Sequence, residues 1–92
     1  MSLSADDVRD VVFSRSRLGR FRYTEVEVDG FLGIIEATLR GAGDLAARDV
    51  HRVSFSRPPR GKNGYRAKEV DAFLGRAEAV LTELEALGPA DD

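Results

Sequence analysis

One stretch of the chain occurs twice and decides the fold: FSRPPRGKNGYRAKEVDAFL at residues 55–74 and FSRSRLGRFRYTEVEVDGFL at residues 13–32. Working outward from it, residues 3–39 align with residues 45–81 without a gap. A repeat that keeps its glycines, aromatic residues and charges in register is one supersecondary unit used twice. Because one unit is too short to bury a core alone, we expect the two units to pack on each other or on a second chain. The predicted units are residues 1–43 and 44–92, packing as one domain.

The composition excludes several classes of protein. The 92 residues include no cysteine, which excludes disulfides and thiolate metal sites and suits a reducing cytoplasm. No apolar run approaches the roughly 20 residues that span a bilayer, and no signal-peptide pattern is present. His51, the only histidine, aligns with Arg9 and is predicted to be a surface residue. With no catalytic carboxylate pair or phosphate-binding loop either, we predict a non-enzymatic protein without a cofactor or metal.

Each unit begins with signals for a short helix. Ser4 followed by acidic residues predicts a helix over about residues 5–11, because a serine side chain accepts an amide hydrogen bond at a helix start. The counterpart is predicted over about residues 45–52, with Asp44 as its cap. The basic segments that follow are rich in glycine and, in the second unit, proline, and these residues end both short helices.

A long helix follows each basic segment. Thr24 and Glu27 match a capping box, in which each side chain accepts a hydrogen bond from the backbone amide of the other residue. The second unit has Arg66 at the corresponding cap position, where a cationic side chain cannot accept such a bond. Glycine and proline then end the long helices, and a tail predicted to be disordered follows: Gly41, Gly43, Gly88, Pro89 and residues 90–92.

Apolar residues at spacings of three and four form one stripe along each long helix. The two stripes consist of Val28, Phe31, Leu32, Ile35 and Leu39, and of Val70, Phe73, Leu74, Ala77 and Leu81. The second stripe continues through Leu84 and Leu87, and the seven-residue spacing of Val70, Ala77 and Leu84 is typical of a coiled-coil seam. Phe31 and Phe73 are predicted to be nearly fully buried.

These elements predict an all-α fold of two tandem short helix–loop–long helix units. The long helices are expected to pair as a short coiled-coil-like bundle, either within one chain as a pseudo-dimer or between chains as a homodimer. Because only about five residues join the first long helix to the second short helix, the second short helix must begin close to the end of the first long helix. Both basic loops are therefore expected at the same end.

The two basic loops are the best candidates for a functional surface. They carry no acidic residue, although the net charge of the chain is −2. The predicted contact residues are Arg15, Arg17, Leu18, Arg20 and Arg22 in the first loop, and Arg57, Arg60 and Lys62 in the second. Leu18 is the apolar residue predicted at a loop tip, where the second loop has Arg60. Phe13 and Phe55 are predicted to anchor the loops on the core.

The second unit resembles the N-terminal domain of the DivIVA family. The matching motifs are Asp49-Val50-His51, Phe55-Ser56-Arg57-Pro58-Pro59, Gly61-Lys62-Asn63-Gly64-Tyr65 and Glu69-Val70-Asp71-Ala72-Phe73-Leu74. The first unit departs from this pattern, with Ser16-Arg17 in place of the two prolines and Phe21-Arg22 in place of Asn63-Gly64.

The resemblance implies a function. DivIVA-like proteins are bacterial scaffolds that gather on the cytoplasmic face of the membrane at division sites and poles. In that family the domain is a parallel dimer, and its loop ends place an exposed apolar residue beside basic residues that touch the membrane. The resemblance thus implies a cell-division or polar-growth adaptor, peripheral at the inner membrane face, that contacts anionic lipid and other division proteins.

Two alternatives belong to other classes of protein. One is a pure protein–protein module that oligomerises through helix faces and never meets lipid. The other is a nucleic-acid binder, because arginine-rich loops also suit phosphate contacts. The acidic isoelectric point and the lack of a recognition helix make nucleic acid the less favoured partner.

Overall fold

The computed structural model describes residues 3–19 and 21–87. These residues form four helices and three short strands: α1 (Ala5–Asp10), β1 (Arg15–Ser16), β2 (Arg22–Tyr23), α2 (Glu25–Leu39), α3 (Ala47–Arg52), β3 (Gly64–Arg66) and α4 (Ala67–Leu87). The chain is mostly helical, in a short–long, short–long order. The prediction of an all-α fold is therefore right in outline but lacked the sheet.

The three strands form one antiparallel sheet in the order β1-β3-β2. Strand β3 of the second repeat lies between the two strands of the first, so that Tyr65 pairs with Arg15 on one side and Tyr23 on the other. The segment of the second repeat that corresponds to β1 is Arg57-Pro58, and Pro59 follows it. Neither proline has an N–H group to donate to a fourth strand. The segments predicted as loops thus contain the strands that join the repeats.

The two repeats contact each other reciprocally around Tyr23 and Tyr65, which occupy the same position in their repeats. The Ser14 N–H donates to the Glu69 carboxylate at 2.7 Å. The equivalent Ser56 N–H donates to the Glu27 carboxylate, also at 2.7 Å. Pairs of equivalent residues therefore meet across an approximate two-fold axis within one chain.

Each short helix packs antiparallel to the long helix of its own repeat. Arg40, just after α2, forms an ion pair at 3.0 Å with Asp6 at the start of α1. Glu85, near the end of α4, accepts a hydrogen bond at 2.7 Å from the Ala47 N–H at the start of α3. The sheet lies at the opposite end of both helix pairs. Both basic segments therefore lie at one end of a domain that measures 51 × 23 × 21 Å.

The apolar stripes supply most of the core. The buried stripe residues are Val28, Leu32, Ile35, Val70, Phe73, Leu74, Ala77 and Leu81. Phe31 and Leu39 are only partly buried, so the prediction of near-complete burial is right for Phe73 and wrong for Phe31. The main helix contacts are those of α1 with α2 and of α3 with α4. The structure does not show the predicted coiled-coil pairing of α2 with α4.

The helix starts differ in part from the predictions. Ser4 caps α1 as predicted, because its hydroxyl accepts a hydrogen bond from the Asp7 N–H at 3.1 Å. The cap residue of α3 is Ala46 rather than Asp44. The alanine side chain has no hydrogen-bond acceptor. Of the two hydrogen bonds of a capping box, α3 therefore keeps one, in which Asp49 accepts from the Ala46 N–H at 2.9 Å.

The capping box predicted at the start of α2 does not form. Thr24 occupies the cap position, but its hydroxyl donates to the Ser56 carbonyl at 2.8 Å. Glu27 accepts from the Ser56 N–H. A pattern that sequence reasoning assigns to local capping instead joins the two repeats.

The predicted end of α2 is present, since Gly41 follows it with a φ of +87°. The end predicted at Gly88-Pro89 and the tail of residues 90–92 lie outside the described residues.

Candidate functional site

The two basic segments meet at the sheet end and line one open cleft of about 810 Å³. The lining residues are Arg17, Leu18, Gly19, Arg22, Arg57, Pro58 and Arg60. They come from both repeats and include no carboxylate. The structure thus brings together five of the eight predicted contact residues. Lys62 joins them through its carbonyl group, and Arg20 lies outside the described residues.

Tight turns place the loop tips. In the first loop the Ser16 hydroxyl donates to the Leu18 carbonyl at 2.8 Å and accepts from the Leu18 N–H at 3.2 Å. Gly19 follows with a φ of +94°, a conformation that glycine adopts without strain. In the second loop the Lys62 N–H donates to the Pro59 carbonyl at 3.1 Å. Leu18 is left 77% exposed at the first tip.

Arg22 is buried beneath the loop tips, although it also lines the cleft. Its side chain is 6% exposed. The Nε group donates to the Gly19 carbonyl at 2.7 Å, and Nη1 donates to the Lys62 carbonyl of the other loop. The guanidinium therefore links the two loops from inside.

Arg15 already has an acidic partner within the protein. Its guanidinium forms an ion pair at 3.0 Å with Glu25 and lies 5.4 Å from the centre of the Tyr65 ring. The hydrogen bond to Glu25 raises the pKa of Arg15. Arg15 is thus bound to the sheet and the start of α2, and it is not among the residues that line the cleft.

Sequence reasoning missed a second exposed apolar residue in the first loop. Phe21 is 75% exposed. Successive side chains of an extended segment point to opposite sides, so the inward position of Arg22 turns Phe21 outward. Alternation across β2 could have revealed it, but the strand is too short to be recognised from the sequence. Val12 and Val26, on either side of the loop, are exposed as well.

All four of these exposed apolar residues belong to the first repeat. The second repeat has polar or charged residues at the equivalent positions: Ser54, Arg60, Asn63 and Lys68. Both basic segments carry charge, but the large exposed apolar residues at these four positions occur only in the first repeat.

The phenylalanines that precede the loops anchor them on the core. Phe13 is buried, with its ring centre 5.3 Å from that of Tyr65 and 5.7 Å from that of Phe73. Phe55 is partly buried, with its ring centre 5.2 Å from that of Tyr23. Each phenylalanine contacts the other repeat, and this cross-packing holds both loops in place.

Two tyrosine–aspartate pairs complete the contact between repeats. The Tyr23 hydroxyl donates to Asp71 at 2.8 Å, and the Tyr65 hydroxyl donates to Asp29 at 2.7 Å. Burial and the hydrogen bond to Asp71 raise the pKa of Tyr23 to about 12, and burial and the hydrogen bond to Asp29 raise the pKa of Tyr65. The two aspartates serve as hydrogen-bond acceptors. His51 lies on the surface, 3.4 Å from Glu78.

Across residues 3–19 and 21–87, no cluster of side chains is arranged to hold a metal ion. Within the same ranges, none of the helices combines the length and the apolar character needed to cross a bilayer. Comparison with known proteins found no matching family model, no matching curated protein and no matching solved structure.

Proposed function

We propose that this protein is a non-enzymatic, DivIVA-like scaffold or adaptor in cell division or polar growth. In this proposal it sits in the cytoplasm and binds the inner face of the cell membrane through the sheet end of the domain. The observation that carries the proposal is the position of Leu18 and Phe21, which are exposed in the first loop of an arginine-lined cleft without carboxylates.

The expected binding energy comes from two sources. Each basic residue near an anionic membrane contributes about 1 kcal/mol. Inserting an exposed leucine or phenylalanine into the bilayer adds about 1.5–3 kcal/mol each. The charges of both loops and the two apolar side chains of the first together support reversible attachment.

Vesicle flotation of the full chain tests the proposal. We expect binding to vesicles that contain phosphatidylglycerol, no binding to pure phosphatidylcholine, and weaker binding as salt rises. Leu18→Ser and Phe21→Ser should each weaken binding even at low salt. Leu87→Ser is the matched control, because Leu87 is 81% exposed at the opposite end of the domain. Failure of the parent to float, or equal effects of Leu18→Ser and Leu87→Ser, would contradict membrane contact.

A second candidate is a protein–protein oligomerisation module. It is favoured by exposed apolar residues on the long helices, since Ile34, Leu84 and Leu87 are 51%, 48% and 81% exposed. Leu84 and Leu87 extend the predicted coiled-coil seam of α4 toward a second chain. Sedimentation equilibrium tests this candidate, which requires a concentration-dependent dimer that Leu87→Ser weakens and Leu18→Ser does not.

A further inference from the structure

We infer that the cleft between the two basic segments is a discrete phosphate-binding site built around Arg22. This inference deepens the proposed function, and it rests on that function where it takes the phosphate from a lipid headgroup. The chemical group itself is inferred from the side chains of the cleft.

Among residues 3–19 and 21–87, Arg22 is a buried cation without an anionic partner. Arginine is almost never fully buried unless it is paired. A guanidinium has five N–H donors, and Arg22 uses one at Nε and one at Nη1 on backbone carbonyls, which leaves three. None of the described residues supplies a carboxylate to it. Buried charged donors without acceptors are costly, so an anion with several oxygens would stabilise this arrangement.

The other arginines of the cleft are also available to an anion. Arg17, Arg57 and Arg60 line it, and none of them forms an ion pair with a described carboxylate. In contrast, Arg15 and Arg40, outside the cleft, each contact a carboxylate at 3.0 Å. The planar guanidinium fork matches the spacing of phosphate oxygens and binds them with two parallel hydrogen bonds. Arginines from both repeats thus converge on one space.

The repeat supplies one such site per chain rather than two. The residue equivalent to Arg22 is Gly64. A Cβ atom at Gly64 would lie 2.6 Å from Pro58 Cγ and 3.1 Å from Arg22 Cβ. The glycine therefore leaves the room that the Arg22 side chain and the Pro58 ring need, and the expected stoichiometry is one phosphate group per chain.

An NMR titration of the full chain with inorganic phosphate tests the site. We expect saturable shifts of the Arg22 Nε–H and of the Gly19 and Lys62 amides, which sodium chloride at equal ionic strength does not reproduce. Arg57→Gln combined with Arg60→Gln should weaken phosphate binding about tenfold or more, because charge-assisted hydrogen bonds are lost. Shifts that do not saturate, or that chloride reproduces, would overturn the inference.

Two further variants make the test specific. Arg52→Gln removes one exposed charge outside the cleft and should change phosphate affinity less than twofold. Arg22→Lys keeps the charge but loses the fork, and should weaken binding as strongly as the double variant. If Arg22→Lys does not fold, the double variant alone decides, because Arg57 and Arg60 are exposed. Unchanged affinity in the double variant would overturn the site.

Paired assays separate the site from the proposed function and identify the phosphate source. Phe21→Ser changes an exposed residue that does not line the cleft, so it should retain inorganic phosphate binding while it loses phosphatidylglycerol vesicles, which supports a lipid headgroup. If phosphate binds and the parent fails to float, the site stands with a soluble phosphate as its ligand, and membrane contact fails. If the parent floats but phosphate does not bind, membrane contact stands and the site fails. Binding to a single-stranded oligonucleotide in preference to the vesicles would overturn the lipid source.

Discussion

In the first repeat, positions 12, 18, 21 and 26 carry exposed valine, leucine, phenylalanine and valine, whereas the second repeat has Ser54, Arg60, Asn63 and Lys68. The residues that join the repeats differ far less. Tyr23 and Tyr65 each donate to an aspartate of the other repeat. Reciprocal hydrogen bonds restrict both copies of an interface residue at once, while solvent-facing residues are free to differ. The comparison thus separates what holds the fold from what distinguishes the two loops.

The ends of the helices show the same freedom to differ. Helix α1 has the hydroxyl of Ser4 at its start, whereas α3 has Ala46. Helix α4 is 21 residues long and α2 only 15, and the extra turns of α4 bring Glu85 to the Ala47 N–H at the start of α3. A lost local cap is therefore compensated by a neighbouring helix.

The largest expected difference between the repeats lies in their phenylalanines. Phe73→Ala should lower the free energy of unfolding by about 3–5 kcal/mol, because the side chain is buried in the core. Phe31→Ala should cost about 1–2 kcal/mol, because the equivalent ring is only partly buried. Urea or guanidinium unfolding measures both. Equal losses would mean that the two stripes are packed alike, against the structure.

The next effect is expected at high pH. The folded-state pKa of Tyr23 is about 12, above its usual value of 10. Between these values the unfolded chain has released the phenolic proton that the folded chain retains. The contribution of this shift to the unfolding free energy is therefore fully present below pH 10 and is lost as the pH rises toward 12. Phenolate absorbance should follow the same course, and a transition near pH 10 in the folded Tyr65→Phe variant would contradict it.

A smaller effect should reveal which tyrosine meets which aspartate. Tyr23→Phe and Tyr65→Phe should each cost about 0.5–1.5 kcal/mol of unfolding free energy, the usual contribution of one hydrogen bond. Double-mutant cycles should couple Tyr23 to Asp71 but not to Asp29. Coupling of Tyr23 to Asp29, in its own repeat, would show that the repeats do not exchange these bonds.

The smallest expected effect concerns Arg66, the counterpart of Thr24. The sequence predicts that Arg66→Asp restores a helix cap and stabilises the protein by about 0.5–2 kcal/mol. The structure instead predicts no gain. The equivalent Thr24 hydroxyl donates to the Ser56 carbonyl at 2.8 Å, so a side chain at position 66 is expected to lie beside the Ser14 carbonyl, which would repel a carboxylate. Arg66→Thr copies the first repeat and should stabilise by about 0.5 kcal/mol through a hydroxyl bond to Ser14. Thermal or chemical unfolding distinguishes the two expectations.

Local and periodic features of the fold could be predicted from the sequence. The two long helices and most of their buried stripes follow from spacing alone, because a 3.6-residue period extends over several turns. The two short helices follow from the cap residues before them and the glycine- and proline-rich segments after them. The placement of both loops at one end follows from the short linker after Gly41, which requires α3 to begin close to the end of α2. Ser4 is recognisable because its partner Asp7 lies within the same turn.

Long-range features could not be predicted in this way. Strands of two or three residues are too short to show alternation, so the sequence pattern does not predict the sheet or the outward position of Phe21. Thr24 and Glu27 match a capping box equally well whether they bond locally or to Ser56, and only packing decides. The sequence gives no sign that Arg22 is buried, because charged residues usually lie on the surface and its acceptors, the Gly19 and Lys62 carbonyls, come from two different loops.

The close approach of Arg22 to Gly64 has a consequence for how such a site can be encoded. Two identical subunits place the same residue at both positions. Two arginines would crowd each other there, with their Cβ atoms about 3.1 Å apart, whereas two glycines would leave the space without a charge. When both copies belong to one polypeptide, one position can be arginine and the other glycine. Gene duplication followed by fusion thus permits two different, complementary residues at positions that a symmetric dimer must fill with the same residue.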